Sequence, residues 1–177
     1  MSNLSWGKPR IFVKDLSATE GVWVELNTPV EGSTELQPTK GDKMEAPVEG
    51  GQNEDVKYQS STYAVVYNIR KLKGRKVPFP NTDGVCSKHY GFMLMPEDNT
   101  NVGFYMEETI VTIDDTFTSA DGAIWAVQHD AIAATSGNTV KWGAVSVKEG
   151  KLTFEETQMA EGQTTATSVS ESVTELS

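Results

Sequence analysis

Short apolar runs broken by turn residues dominate the chain, and they predict strands. Arg10-Ile11-Phe12-Val13-Lys14 and Val22-Trp23-Val24-Glu25-Leu26 have the length and the β-branched or aromatic content of short strands. Asp15 to Gly21 supplies a turn between them. The second run alternates only in part, which fits burial on both faces. The strongest strand signal is 56–72, where Tyr58, Tyr63, Val65, Val66, Tyr67 and Ile69 concentrate. Further strands are expected at 90–95, 102–106, 109–113, 123–127, 139–147 and 152–154. Pro96-Glu97-Asp98-Asn99 and Asp121-Gly122 act as turns among them. Residues 126–135 are the one helix candidate, with Ala126, Ile132 and Ala133 available for a face, although extended chain fits nearly as well.

Residues 28–51 differ in kind. Pro29, Pro38 and Pro47 remove backbone donors, and Gly32, Gly41, Gly50 and Gly51 dilute packing, so a long exposed excursion is expected in the first third. Short strands at 34–39 and 43–46 still fit within it. From Gln158 onward the chain is rich in Ser, Thr and Glu with neither aromatic nor basic residues, and it offers too little apolar area to offset ordering entropy. The expected organisation is one β-rich domain at 1–157 and a disordered polar tail at 158–177. Strands spaced by turns indicate a mainly β chain, an antiparallel sandwich or barrel with at most one flanking helix.

Charge narrows the function classes. The 177 residues carry a formal net charge of −10, which disfavours sequence-independent nucleic-acid binding because phosphates need Lys and Arg. The imbalance is local: residues 1–88 hold 12 bases and 11 acids, whereas 89–177 hold 3 and 14. Against that trend, Arg70-Lys71-Leu72-Lys73-Gly74-Arg75-Lys76 places five bases in seven residues. It reads either as a solvated hairpin tip or as a cationic patch that meets the acidic half of another copy. One cysteine, Cys86, excludes an intrachain disulfide. The first residues have neither a basic n-region nor an apolar h-region, and no apolar run approaches ~20 residues. Synthesis in a reducing cytoplasm and no membrane partner are therefore expected.

Catalytic patterns are missing from the sequence. There is no G-x-S-x-G, H-E-x-x-H, phosphate-binding loop or dinucleotide glycine motif. His129 and Asp130 are adjacent, so on a strand they face opposite ways and make a poor dyad. Cys86 near His89 lacks a third partner and suits a small buried apolar role. The acidic pairs Glu54-Asp55, Glu97-Asp98, Glu107-Glu108, Asp114-Asp115 and Glu155-Glu156 are spread over turns and strand ends as solvated surface would be. The expectation is a non-enzyme without cofactor or metal.

The order of motifs carries a resemblance. Trp6-Gly7-Lys8-Pro9 opens the chain. Thr34-Glu35-Leu36, Thr39-Lys40-Gly41-Asp42, Glu45-Ala46 and Glu49-Gly50-Gly51 then lead into the aromatic strand at 58–69. Asp83-Gly84, Pro96-Glu97-Asp98 and Asp121-Gly122 follow. Over about residues 5–157 this resembles the tail tube protein of long-tailed bacteriophages, whose fold is shared with contractile tails and type VI secretion tubes. The resemblance implies a β-sandwich or barrel flanked by a helix, in a virion structural protein made in a bacterial host. It implies hexameric rings stacked into a hollow tube with an acidic lumen, through which viral DNA passes without specific binding. Tape-measure, tail-terminator or baseplate proteins are the implied further partners. The family's long early loop reaches neighbouring subunits, and 41–55 matches it. The contact set expected between copies is therefore Gly41, Asp42, Glu45, Glu49, Gly50 and Gly51 on the loop, with Arg70, Lys71, Lys73, Arg75 and Lys76 on the basic run. The competing reading is a monomeric β-sandwich binding module that holds carbohydrate on exposed Trp and Tyr.

Overall fold

Residues 7–157 and 166–176 are described by the structure, a computed structural model, and every regular element among them is a strand. In chain order these are β1 (Arg10–Asp15), β2 (Trp23–Glu25), β3 (Glu35–Thr39), β4 (Lys43–Pro47), β5 (Asn53–Tyr58) and β6 (Thr62–Arg70). They continue with β7 (Val85–Met95), β8 (Gly103–Thr118), β9 (Gly122–Ala131), β10 (Lys141–Lys148), β11 (Lys151–Glu156) and β12 (Ser168–Glu175). Ten strands form one sheet in the order β10-β11-β12-β2-β1-β7-β8-β9-β6-β3, and β4 with β5 forms a separate hairpin. All pairings are antiparallel except β12 with β2.

Partial alternation in the early strands has a tertiary cause. β1 sends Ile11 and Val13 into one apolar cluster and Phe12 into a second. β2 divides in the same way, with Val24 packing on the first cluster and Trp23 buried in the second. β7 does likewise, giving Phe92 to the first and Met93 and Met95 to the second. These strands are thus a wall shared by two cores, and both faces of the pleat are apolar for that reason. The first core is completed by Val65, Tyr67 and Ile69 of β6, Val111 and Ile113 of β8, and Trp125 and Val127 of β9. The second is completed by Val145, Leu152 and Phe154.

β8 joins the two expected strands at 102–106 and 109–113 into one of 16 residues. Its start pairs with β10 (Tyr105 with Lys141, Phe104 with Trp142, Gly103 with Gly143), and its remainder from Thr109 pairs with β9. Gly103 faces Gly143 at this junction. A Cβ on Gly103 would overlap the Leu94 carbonyl, and one on Gly143 would overlap the Glu155 carbonyl. We expect Gly143→Ala to destabilise the chain by about 2 kcal/mol, the usual scale of overpacking against backbone. A thermal melt checks it, and a variant within ~0.5 kcal/mol of the parent would show that the junction is loose.

Three expectations are corrected. Residues 126–135 are not helical: Trp125, Val127 and His129 are buried and alternate with Ala126, Gln128 and Asp130, the two-residue period of β9. Ladders to β6 and β8 on either side satisfy that backbone. The short strands expected at 34–39 and 43–46 within the 28–51 excursion are present as β3, paired to β6, and β4, the first half of the β4–β5 hairpin. The continuous strand expected at 56–72 breaks at 59–61 into β5 and β6, which lie in different sheets. Within the tail expected to be disordered, 158–165 lie outside the described residues, but Ser168–Glu175 is the strand β12. The entropy argument weighed apolar area alone. β12 instead gains backbone partners on two edges, β11 and β2.

Candidate functional site

The candidate contact residues fall into two groups. β4 and β5 form an arm in which every strand residue is exposed. Asp42 closes its base by accepting from the Gln59 amide at 2.9 Å, and Gly41 lies where a side chain would overlap the Gln59 and Ser60 carbonyls. Gly50 and Gly51 turn the tip with φ of 100° and 80°, values that favour glycine. Val48 and Gln52 are bonded across that tip at 2.8 Å. Glu49 sits exposed at the turn, and Glu45 is paired with Lys43 on the same strand. An isolated two-stranded hairpin is marginal in water. This one also exposes Met44, Val48, Val56 and Tyr58 at 58, 43, 40 and 60%.

The basic run lies at the other end of β6. Arg70 is its last residue and donates to the Asp121 carbonyl at 2.5 Å. Lys71 pairs with Asp115 and lies over the Trp125 ring. Gly74, with φ of 84°, turns the tip, and Arg75 donates to the Arg70 carbonyl at 2.9 Å. Lys73, Arg75 and Lys76 make no ion pair among the described residues. Exposed Leu72 sits within this run and exposed Val77 directly follows it. Phe117, 76% exposed, pairs in register with Ala123, whose carbonyl accepts from the Lys71 amide. Bases and apolar side chains therefore share one end of the molecule.

The structure does not bring the two groups together. Thr62, where β6 begins, pairs with Thr39 just before the arm, and Arg70 ends the strand. At ~3.3 Å per residue the nine residues of β6 separate arm and basic tip by about 26 Å. Over 43–58 the arm carries Glu45, Glu49, Glu54 and Asp55 against Lys43 and Lys57, which pair with Glu45 and Asp55, a net charge of −2. One end of the domain is thus acidic and the other basic, each with uncovered apolar groups.

Sequence reasoning missed two buried polar sets. Lys141, with a side chain 1% exposed, donates to Glu107 at 2.8 Å, and Glu107 also accepts from the amide and hydroxyl of Thr135 at 3.2 Å each. Burial raises the Glu107 pKa, but these bonds outweigh it and hold the carboxyl below its ordinary value. His129 is wholly buried between Tyr67, whose hydroxyl lies 2.8 Å from Nε2, and Thr109, whose hydroxyl lies 3.0 Å from Nδ1. Thr109 in turn donates to the Tyr90 carbonyl at 2.8 Å. That order fixes the neutral tautomer with Nδ1–H donating to Thr109 and Nε2 accepting from Tyr67. Lys141 was not legible, because a Lys is ordinarily solvated; the two-residue period that buries Trp125 and Val127 does put His129 inward, but it does not name Tyr67 and Thr109 as its partners.

Asp130 is exposed and bonded to Gln128, away from His129. Cys86 is buried, which pushes its thiol pKa up, while His89 is exposed beside Glu108. Among the described residues, no three His, Cys, Asp or Glu side chains converge as a metal site would need. A cavity of about 710 Å³ lies between residues 7–9, the 28–36 segment, Leu94 and Phe104, with Lys8 and Glu31 as its charged lining groups. Among the described residues, no helix is long and apolar enough to cross a membrane. No family model matches the chain, and no curated protein matches it.

Proposed function

We propose that this chain is a self-assembling structural subunit, and that the assembly is a hollow tube of the phage-tail kind. The observation that carries the reading is the placement of an acidic, apolar arm and a basic, apolar tip at opposite ends of β6. A surface that complements a different surface of the same molecule makes head-to-tail contacts, which close into rings or continue as filaments. Both surfaces expose apolar side chains that association would cover. Glu45 gives up little by changing partners, since an exposed ion pair such as Lys43–Glu45 contributes ~0–1 kcal/mol.

Two further features agree with this reading. The face of β3, β6, β9 and β8 turned away from the first core exposes Glu35, Asp114 and Asp130, and its one Lys or Arg is Arg70 at the end. Such a face repels a polyanion and suits a channel that DNA crosses without adsorbing. The ladders from β10 through β11, β12, β2, β1 and β7 to β8 return to β10, and we read them as a barrel with the remaining strands packed beside it. Tape-measure, terminator or baseplate proteins would meet the ends of such a tube.

Negative-stain microscopy with light scattering over a concentration series tests the reading. Rings or hollow tubes are expected. Lys73→Glu with Arg75→Glu should abolish them, and Glu45→Lys with Glu49→Lys on the arm should restore them in the combined variant. A monomer at every concentration and salt, with no effect of either reversal, would move the molecule to the binding-module reading. That reading rests on the 710 Å³ cavity, and a glycan screen would then decide it.

A further inference from the structure

We propose that the groove between β2 and β11 is a strand-acceptor site through which copies of this chain link, each lending its residues 168–176 to a neighbour. The proposal rests on the self-assembly reading above. Each edge of the groove has a second partner of its own. β2 is held by β1 and β11 by β10, and none of the buried core residues belongs to 166–176. β12 lies in it as an extended peptide, with Val169, Glu171 and Val173 inward and Ser168, Ser170, Ser172 and Thr174 exposed. The inward three sit in register with Phe154, Leu152 and Trp23. Lys14 donates to the Glu171 carboxylate at 2.6 Å. Two backbone edges supply affinity, and an apolar–acid–apolar pattern supplies specificity, as in strand addition to an open sheet.

The connection to β12 is far longer than its position requires. Eleven residues, 157–167, join β11 to β12, although adjacent antiparallel strands usually need 2–5. Fully extended they span about 36 Å, the width of a small domain, and they include neither an aromatic nor a basic residue. Exchange between copies keeps every contact that β12 makes at home, so only the tether's entropy changes, and that varies slowly with length. Release gives up the two backbone ladders, one partly exposed ion pair and the packing of Val169, Val173 and Leu176 on the cores, and a neighbour's groove returns all of them. In an assembly, neighbouring grooves would stand at fixed short range, so that β12 meets them at high effective concentration.

Full-length chains test this. One population carries Cys86→Ala with Thr153→Cys, the other Cys86→Ala with Ser170→Cys, positions that are ladder partners across β11 and β12. The two are mixed at assembling concentration and oxidised, and linked peptides are identified by mass spectrometry. The 153–170 link between chains is expected to dominate, and to fall at least tenfold when the donor also carries Val169→Asp and Val173→Asp. The proposal is overturned if that link is no more abundant than 153–153 or 170–170 pairs while a chain carrying both cysteines closes its internal disulfide. Microscopy of the same sample separates the two readings. Rings without the link leave the tube reading standing and sink strand exchange, whereas the link without rings does the reverse.

Discussion

Glu107→Ala is expected to cost about 3–5 kcal/mol, because it strands the Lys141 ammonium in the interior without a counter-ion. The Lys141 side chain is 1% exposed and that of Glu107 25%, so the cation has far less recourse to water. The same change removes the acceptor for the Thr135 amide and hydroxyl, freeing the segment that leads into β10. For a domain of this size the loss corresponds to roughly 10 °C in the melting midpoint. The reverse truncation, Lys141→Met, should cost less, since Glu107 keeps its Thr135 bonds and part of its hydration. Replacing both residues with apolar ones should recover most of the loss, because a buried pair is seldom better than good packing. Urea midpoints of the three variants decide the matter. A Glu107→Ala variant within ~1 kcal/mol of the parent would mean that water reaches Lys141.

Acidification from pH 6.5 to 5 should weaken the fold through His129. Burial lowers the folded pKa of this ring to about 3, against an ordinary value of 6.5. Between those values the unfolded chain takes up a proton that the folded chain refuses. The stabilisation is therefore fully present above pH 6.5 and is lost as pH falls toward 3, by up to ~1.4 kcal/mol per pH unit. The groups packed on the ring are Tyr67, Phe79, Phe92 and Thr109, none of them a carboxylate that could stabilise an imidazolium. Asp15 and Glu107, whose carboxyls are held below their ordinary values, add their own acid sensitivity only at lower pH. His129→Gln removes the titration while keeping polar contacts, so its urea midpoint should be nearly flat from pH 6.5 to 5 where the parent's falls. Parallel pH profiles for the two chains would show that the ring titrates normally.

Much of the strand content was legible because alternation is a local property of a half-buried sheet. The runs at 10–14, 22–26, 90–95, 139–147 and 152–154 coincide with β1, β2, β7, β10 and β11. The candidate residues at 41–51 and 70–76 were legible from composition alone, since glycine, proline and unpaired charge mark chain that leaves the core. Their arrangement was not. Whether the arm and the basic tip lie side by side or at opposite ends of a strand about 26 Å long depends on the direction and pairing of β6. The helix expectation at 126–135 failed because small alanines fit both periods, and two flanking ladders settled the choice.

By itself, then, the sequence determined an antiparallel β chain with an exposed glycine-rich excursion, a basic turn and an acidic second half. Those features follow from side-chain size, charge and backbone freedom at neighbouring positions. Only the tertiary structure decided that β2, β1 and β7 serve two cores, that Lys141 is buried against Glu107, and that a Ser/Thr/Glu segment becomes a strand. Each of these joins positions remote in sequence, as Lys14 and Glu171 do across 157 residues. A polar residue is placed inside, or a polar segment ordered, by the partner that meets it, and that partner is written elsewhere in the chain.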